Sequence, residues 1–340
     1  ITAADIDPDL VKLSANWMAA CGAEGEDAKL FAAGKAASEY CQALNVSIPV
    51  GKDSCSMRTA WDDKDEKKCV TSPVSLIVSA AAPVGNVRLT LTPLLRTDKP
   101  SVLALFDLSG GRARMGASIL AQVAQSFGDT APDAPDAQKL VRFVKLIRKL
   151  TLAGCVTAYH DRSDGGLAAT LSEMMFASHV GLDVTLDGLI DGAKDVEAAT
   201  AALFNEEIGA VVQIPADRLE DVKSQAAAAG LSDCLFVVAR INTTDTFKVT
   251  CGENVLVDEK RTDLMRVWSE VSHEIARGRD NPACADSELE VACGTDHQGL
   301  FVKTTFDPEE HPSGPYIHSG DVRPKIGVLP EQGVNSQTEM

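Results

Sequence analysis

The sequence predicts an α/β protein, or α+β with helices on one face of a sheet, and three observations lead there. Between 98 and 257, short apolar runs of strand length alternate with longer segments whose apolar residues recur at helical spacing. The connections between them are short and carry Gly, Asp and Pro. A chain of 340 residues, 45% hydrophobic and 24% charged, can bury the cores of about two domains without disulfides or metals.

Taken in order, Asp7-Pro8-Asp9 is a helix-start signal, with Leu10, Leu13, Trp17 and Met18 following at helical spacing. An alanine-rich helix is expected over 27–44. A short strand over 46–50 enters a polar turn, Gly51-Lys52-Asp53-Ser54-Cys55-Ser56-Met57. The run 74–80 is continuously apolar, which predicts a strand buried on both faces. Two prolines and a charged patch over 93–100 mark a boundary. Beyond it come a strand over 102–106, Gly110-Gly111 and a helix over 115–127. A helix over 137–152 follows, with Leu140, Phe143, Val144, Ile147 and Leu150 on one face. A strand over 155–160 precedes a helix over 167–177. Further strands are expected over 182–186, 209–214, 235–241 and 247–251, with helices over 195–203 and 216–229 between them. One more helix spans 258–279. Residues 280–321 are rich in Pro, Gly, Asp and His and read as an extended connector; 325–329 reads as a strand running into Glu331-Gln332-Gly333.

Charge and cysteine usage exclude several function classes. Forty-nine acidic against 32 basic residues leave a net charge of −17, which repels phosphate backbones and anionic lipid. No basic run interleaved with aromatics appears, so neither nucleic acid nor membrane is an expected partner. Nine scattered cysteines, with no CxxC pair and no histidine at zinc-ligand spacing, read as free thiols in a reducing, cytoplasmic compartment. No signal peptide and no bilayer-length apolar run are visible. The chain opens on Ile1 and closes in what reads as a turn entering a new helix, so both ends are expected to be cuts in a longer polypeptide.

The strongest local signal for chemistry is His160-Asp161-Arg162-Ser163-Asp164-Gly165-Gly166, between a strand and a helix. Gly165 and Gly166 let the backbone approach a ligand, and helix N–H groups favour a phosphate. Asp161 or Asp164 could hold Mg²⁺ through a carboxylate oxygen, and Ser163 could donate to a phosphate oxygen. The same residues read equally as a turn capped by Asp164. The Gly51-Lys52-Asp53-Ser54 segment fails as a P-loop, because the first glycine would fall at Val46 and the Ser/Thr at Asp53. It remains either a phosphate-lining loop or a solvated turn. Asn205-Glu206-Glu207, just before an apolar strand, is a candidate ligand loop or an ordinary strand approach. The six histidines form no metal-spaced pair.

Together these segments resemble phosphoribosylformylglycinamidine synthase in its large single-chain form. The matching residues run in order: Leu13-Ser14-Ala15-Asn16-Trp17-Met18-Ala19-Ala20, Pro49-Val50-Gly51-Lys52-Asp53-Ser54-Cys55-Ser56-Met57, and Thr71-Ser72-Pro73. His160 through Leu167, Leu203-Phe204-Asn205-Glu206-Glu207, Arg279-Asp280-Asn281-Pro282 and Glu331-Gln332-Gly333-Val334-Asn335-Ser336 extend the match over nearly the whole chain. Pro330 stands where the family usually has an arginine.

The resemblance implies aminoimidazole ribonucleotide synthetase-like subdomains with mixed sheets and packed helices. It implies a C–N bond-forming ligase of purine biosynthesis that converts formylglycinamide ribonucleotide, ATP and glutamine into the amidine, ADP, phosphate and glutamate. Ammonia would come from a C-terminal glutaminase domain. Residues 1–92 would end the first subdomain of the second synthetase half, 98–257 would be its second subdomain, 258–321 a helix and connector, and 322–340 the start of the glutaminase. Carried over by position, Asp161 would be a magnesium ligand and Ser163 a nucleotide contact. Lys52, Asp53 and Ser54 lie in the family's lysine-bearing loop and, with Gly165 and Gly166, would be further nucleotide-binding residues. The remaining metal ligands would lie upstream of Ile1 and the glutaminase cysteine beyond Met340, so the isolated fragment is expected to be inactive. Asp161 and Ser163 are assigned to a nucleotide, ATP or ADP, that chiefly stabilises the fold. The rival readings are another ATP-dependent enzyme of the same superfamily, such as a selenophosphate or thiamine-phosphate kinase relative, and a non-catalytic scaffold.

Overall fold

The computed structural model describes residues 2–128, 130–134, 136–190, 196–295, 302–317, 325–329 and 331–332. The chain divides into two compact units, residues 1–295 and 296–340.

The first unit opens with a three-stranded sheet. β1 (Lys12–Met18) lies in its centre, parallel to β2 (Ser47–Ser54) and antiparallel to β5 (Ser75–Ala81). The helix α1 (Glu26–Leu44) makes the long crossover that a parallel pair requires. A hairpin of β3 (Arg58–Asp63) and β4 (Glu66–Thr71) is inserted before β5. The helix expected from Asp7 onward is corrected here. Asp7 does cap a turn, accepting from the Asp9 amide at 3.1 Å, but that turn is only the 3-10 helix Pro8–Leu10. The chain then becomes extended, because β1 is paired along both edges and two ladders outweigh a weak helical spacing. A second correction concerns β5, expected to be buried on both faces. Leu76, Ile77 and Val78 are 38%, 55% and 46% exposed, since β5 is an edge strand without a covering layer on either face. A third is that Lys52, Asp53 and Ser54 belong to β2 itself rather than to a turn after it. Gly51 is set by packing: a Cβ there would sit 2.3 Å from the Ala15 carbonyl oxygen of β1.

The remainder of this unit is built on a seven-stranded mixed sheet. Its strands are β6 (Ser101–Asp107), β7 (Ala158–Arg162), β8 (Gly181–Thr185), β9 (Gly209–Pro215), β10 (Leu235–Asn242), β11 (Thr246–Cys251) and β12 (Asn254–Lys260). The spatial order is β12-β11-β8-β10-β6-β9-β7, and only β11 with β8 is parallel. The strand period of two sorts β6 cleanly. Leu103 and Leu105 point to one core, whereas Val102, Ala104 and Phe106 point to the other.

Helices therefore cover both faces, not one. The short α2 (Ile119–Val123) follows β6, where a longer helix over 115–127 was expected. α3 (Ala137–Leu152) and α6 (Leu219–Ala228) pack Phe143, Ile147, Leu150, Val222 and Ala226 on the Phe106 side. α4 (Gly166–Ser178) and α5 (Val196–Phe204) pack Leu167, Leu171, Met174, Met175 and Leu203 on the Leu105 side.

A pair of helices, α7 (Arg261–Arg279) and α8 (Pro282–Cys293), closes the unit. Residues 280–293 were expected to be extended connector. Asn281-Pro282 is instead a stop and a start in succession: Asn281 accepts from the Ala283 amide at 3.0 Å as N-cap, and Pro282 takes the first helical position.

In the second unit, a short helix α9 (Gly314–Ile317) is formed. Residues 325–329 have no strand pairing, in contrast to expectation. Pro330 and the closing residues from Gly333 lie outside the described residues.

Candidate functional site

Antiparallel pairing brings three loops to one end of the large sheet. Asp107 at the end of β6 and Arg162 at the end of β7 both register with Gly209, the first residue of β9. The loops after β6, after β7 and before β9 must therefore meet.

An arginine at their centre ties them together. Arg162 is buried, and its Nε donates to the Glu207 carbonyl at 2.6 Å while Nη2 donates to Asp107 Oδ1 at 2.9 Å. The Glu207 side chain, 1% exposed, receives Arg114 Nε at 2.6 Å and Nη2 at 2.9 Å. A buried charge in this position needs both a partner and further hydrogen bonds, and each member of this set has them. The fork of Arg114 on Glu207 holds the arginine charged, with its pKa raised by that hydrogen bond.

Glu206 faces the other way. Its Oε1 accepts the Gly165 amide at 2.9 Å and the Ile119 amide at 2.8 Å, so one carboxylate serves the N-terminal ends of α4 and α2 together. Gly165, not Asp164, is the N-cap residue of α4, and it has no side-chain cap of its own. Negative charge at this end of a helix is favoured by the unpaired amides and the helix dipole. Asn205, also buried, donates to the Ala201 carbonyl at 2.6 Å and accepts the Glu207 amide at 3.3 Å. Glu206 and Glu207 are thus engaged in joining loops to each other, while Asn205 shapes its own segment after α5.

The glycines have a packing reason as well. Gly166 has φ +65°, and a Cβ there would lie 2.6 Å from the Asn205 carbonyl oxygen and 2.7 Å from that of Leu203. Its amide donates to Ser163 O at 2.9 Å. The backbone donors of Gly165 and Gly166 that were expected to face a phosphate are both satisfied internally.

What faces outward is Asp161, Ser163 and Asp164, all exposed. Tyr159, buried beneath them, donates its hydroxyl to Asp161 Oδ1 at 2.5 Å. Burial first, and then the neighbouring Asp161 carboxylate, raise the Tyr159 pKa well above its ordinary value. Thr170 on α4 donates to the Asp161 carbonyl at 3.1 Å, and His160 meets Glu173 at 2.7 Å, fixing the loop to the first turns of the helix. Among the described residues no group of three His, Cys, Asp or Glu side chains could hold a metal alone. Asp161 has one carboxylate oxygen unclaimed by Tyr159, which suits a hard cation as one ligand in a set completed by phosphate oxygens and water.

Lys52, Asp53 and Ser54 stand apart on β2. Lys52 Nζ donates to Ser54 Oγ at 2.8 Å, and among the described residues no hydrogen bond or ion pair joins these three to the 161–166 loop. Sequence reasoning assigned no role to Tyr159, Arg114 or Asp107, and none to Arg162 within its motif. The available signal was weak, because Arg162 ends a strand, Ala158-Tyr159-His160-Asp161-Arg162, in which the residue just before it is exposed. No helix among the described residues is long and apolar enough to cross a membrane.

Residues 1–83 match the family model of the FGAR-AT PurM_N-like domain, and residues 106–252 that of the AIR synthase related protein C-terminal domain. Among solved structures, Thermotoga maritima PurL complexed with FGAR superposes with a TM-score of 0.55 at 14% identity, over 77% of this chain and 40% of that one. T. maritima PurL complexed with ATP gives 0.50 at 13% identity, over 76% and 38%. E. coli HypE, a hydrogenase maturation protein, gives 0.53 at 16% identity, over 76% and 74%. At these identities the likeness is one of fold, and the chain spans only 38–40% of the length of the PurL chains.

Proposed function

We propose that this chain, which belongs to the AIR synthase-like superfamily, is part of an ATP- and glutamine-dependent synthase that converts formylglycinamide ribonucleotide to the amidine. The observation that carries this reading is the match of residues 1–83 to a domain named for FGAR amidotransferase, followed in order by the AIR synthase-type domain. Such a ligase of purine biosynthesis would draw its ammonia from a glutaminase domain, whose start we place at 322–340. The rest of the synthetase would lie upstream. We keep 1–92, 98–257 and 258–321 as the subdomain limits of this piece, acting in the cytoplasm.

At the end of the large sheet, Asp161 and Ser163 are the residues proposed to meet a Mg-nucleotide. Magnesium would supply charge neutralisation at the phosphates. Asp161 would contribute one carboxylate oxygen, held in orientation by Tyr159, and Ser163 a hydroxyl donor. Arg162, Glu206 and Glu207 would keep the loop in shape without touching the nucleotide. Lys52, Asp53 and Ser54, on the separate strand β2, are proposed as further nucleotide-binding residues of the synthase. We assign the nucleotide here a chiefly stabilising role.

The test is phosphate release from ATP by the intact parent protein. Release that requires both formylglycinamide ribonucleotide and either glutamine or ammonia supports the synthase. ATP turnover indifferent to that substrate favours the second reading, a different ATP-dependent member of the superfamily, which the likeness to HypE keeps in play.

A further inference from the structure

Cys21 and Cys55 face each other where the chain leaves β1 and β2. Ala20 and Ser56 form an antiparallel bridge. The Cys21 amide donates to the Cys55 carbonyl at 2.9 Å, and the Met57 amide to the Ala19 carbonyl at 3.1 Å. That pattern puts Cys21 and Cys55 directly opposite one another. Opposed residues at such a hydrogen-bonded position have Cα atoms about 5.5 Å apart, inside the range a disulfide spans. Both residues are exposed.

We propose that Cys21 and Cys55 are a redox-active dithiol that a peroxide-class oxidant closes to an intramolecular disulfide. One thiolate sulfur attacks a peroxide oxygen, the O–O bond breaks, and a sulfenic acid and water result. The second thiol sulfur then attacks the sulfenic sulfur, the S–O bond breaks, and a second water leaves. Two thiols together give up two electrons and two protons, and the peroxide is reduced.

The order of events follows from the surroundings. The Cys21 thiol, then burial, then the Asp53 carboxylate 3.5 Å away, push the Cys55 pKa up to about 11. Cys55 Sγ donates to Asp53 Oδ2 at 3.5 Å, a contact that holds Cys55 as a thiol, so Cys21 is assigned as the sulfur oxidised first and Cys55 as the one that resolves it. Among the described residues no other strand pairing sets two cysteines opposite each other. Cys155, Cys234, Cys251 and Cys293 are buried, and Cys69 faces Ala60 across its hairpin. The crosslink would tie together the ends of two neighbouring strands immediately after Lys52, Asp53 and Ser54.

The experiment treats the purified protein with hydrogen peroxide at stoichiometric amount, blocks remaining thiols with a maleimide, and maps peptides without reductant. The expected result is a Cys21–Cys55 crosslinked peptide, with two fewer alkylated thiols, both reversed by dithiothreitol. Peroxide-treated protein in which both residues remain alkylatable, or in which either pairs with Cys69 or Cys41, overturns the proposal. Cys55→Ser supplies the second arm: Cys21 should then accumulate as a sulfenic acid that dimedone traps. Absence of that adduct, in a variant whose circular dichroism matches the parent, overturns the assigned order.

Discussion

Glu206 Oε1 accepts the backbone amide of Gly165 at 2.9 Å, so the helix that follows the candidate nucleotide loop is capped by a residue 41 positions away in sequence. The same oxygen also takes the Ile119 amide. One side chain thus holds two loops and two helices in register.

Replacing Glu206 with alanine should cost about 1–2 kcal/mol, the range of a lost helix cap. Glutamine keeps an acceptor oxygen and should lose less. Urea unfolding of both variants reads the difference, and an alanine variant as stable as the parent would show that the cap contributes nothing.

Arg162→Met should be far more damaging. It leaves Asp107 and the Glu207 carbonyl without their central donor in a buried setting, a loss of about 3–5 kcal/mol. Calorimetry is the check, and a shift no larger than that of an exposed arginine such as Arg218 would contradict the network as described.

Asp161→Asn separates ligand binding from folding. Asp161 is exposed, so the unliganded melting temperature should move little. Mg-ADP at a thousandfold excess over its Kd should stabilise the parent by about 4 kcal/mol. That gain should vanish in the variant, and an equal ligand-induced shift in both proteins removes Asp161 from the site.

Tyr159 predicts a pH dependence. Its folded pKa is raised by burial and by Asp161, whereas an unfolded tyrosine ionises near 10. The unfolded state therefore binds fewer protons than the folded one above that point. The stability contribution is full below about pH 10 and is lost as pH rises from there toward the folded value. Tyr159→Phe should flatten the alkaline fall in denaturant midpoint, and identical alkaline limbs in both proteins would contradict it.

Cys69 and Arg58 give an independent reactivity test. Arg58 Nε lies 2.9 Å from the Cys69 sulfur and lowers the thiol pKa below its usual value. Iodoacetamide labelling of Cys69 should show a pH midpoint below that of an ordinary exposed thiol, rising toward the ordinary one in Arg58→Gln. No change between the two would mean the contact does not persist in solution.

Parts of this architecture were legible in the residues alone. The helix over 137–152 was read to its observed limits, because its apolar stripe is long, one-sided and capped by Asp136. The strand over 102–106 was likewise plain, since a buried β6 is apolar on both faces. Where the local signal was short, it misled. Leu10, Leu13, Trp17 and Met18 fit a helix by spacing, yet the segment became a strand because two neighbours were available to pair with it. Likewise the apolar run of β5 suggested burial, but an apolar composition does not say whether a second layer exists to cover it.

The candidate site divides in the same way. The strand–Asp–Gly–Gly–helix segment stood out because its residue types are unusual at that junction, and short range is where sequence patterns are informative. The roles of its neighbours were hidden. Arg162 finds Asp107 across 55 residues and Glu207 across 45, and Glu206 finds Gly165 across 41. The sequence by itself determined which residues share a face, since periods of two and 3.6 are properties of a local backbone. Only the tertiary structure decided which loops share a sheet end, and hence which charges pair, because hydrogen-bond partners in an antiparallel sheet are chosen by strand order, and strand order leaves no mark on local periodicity.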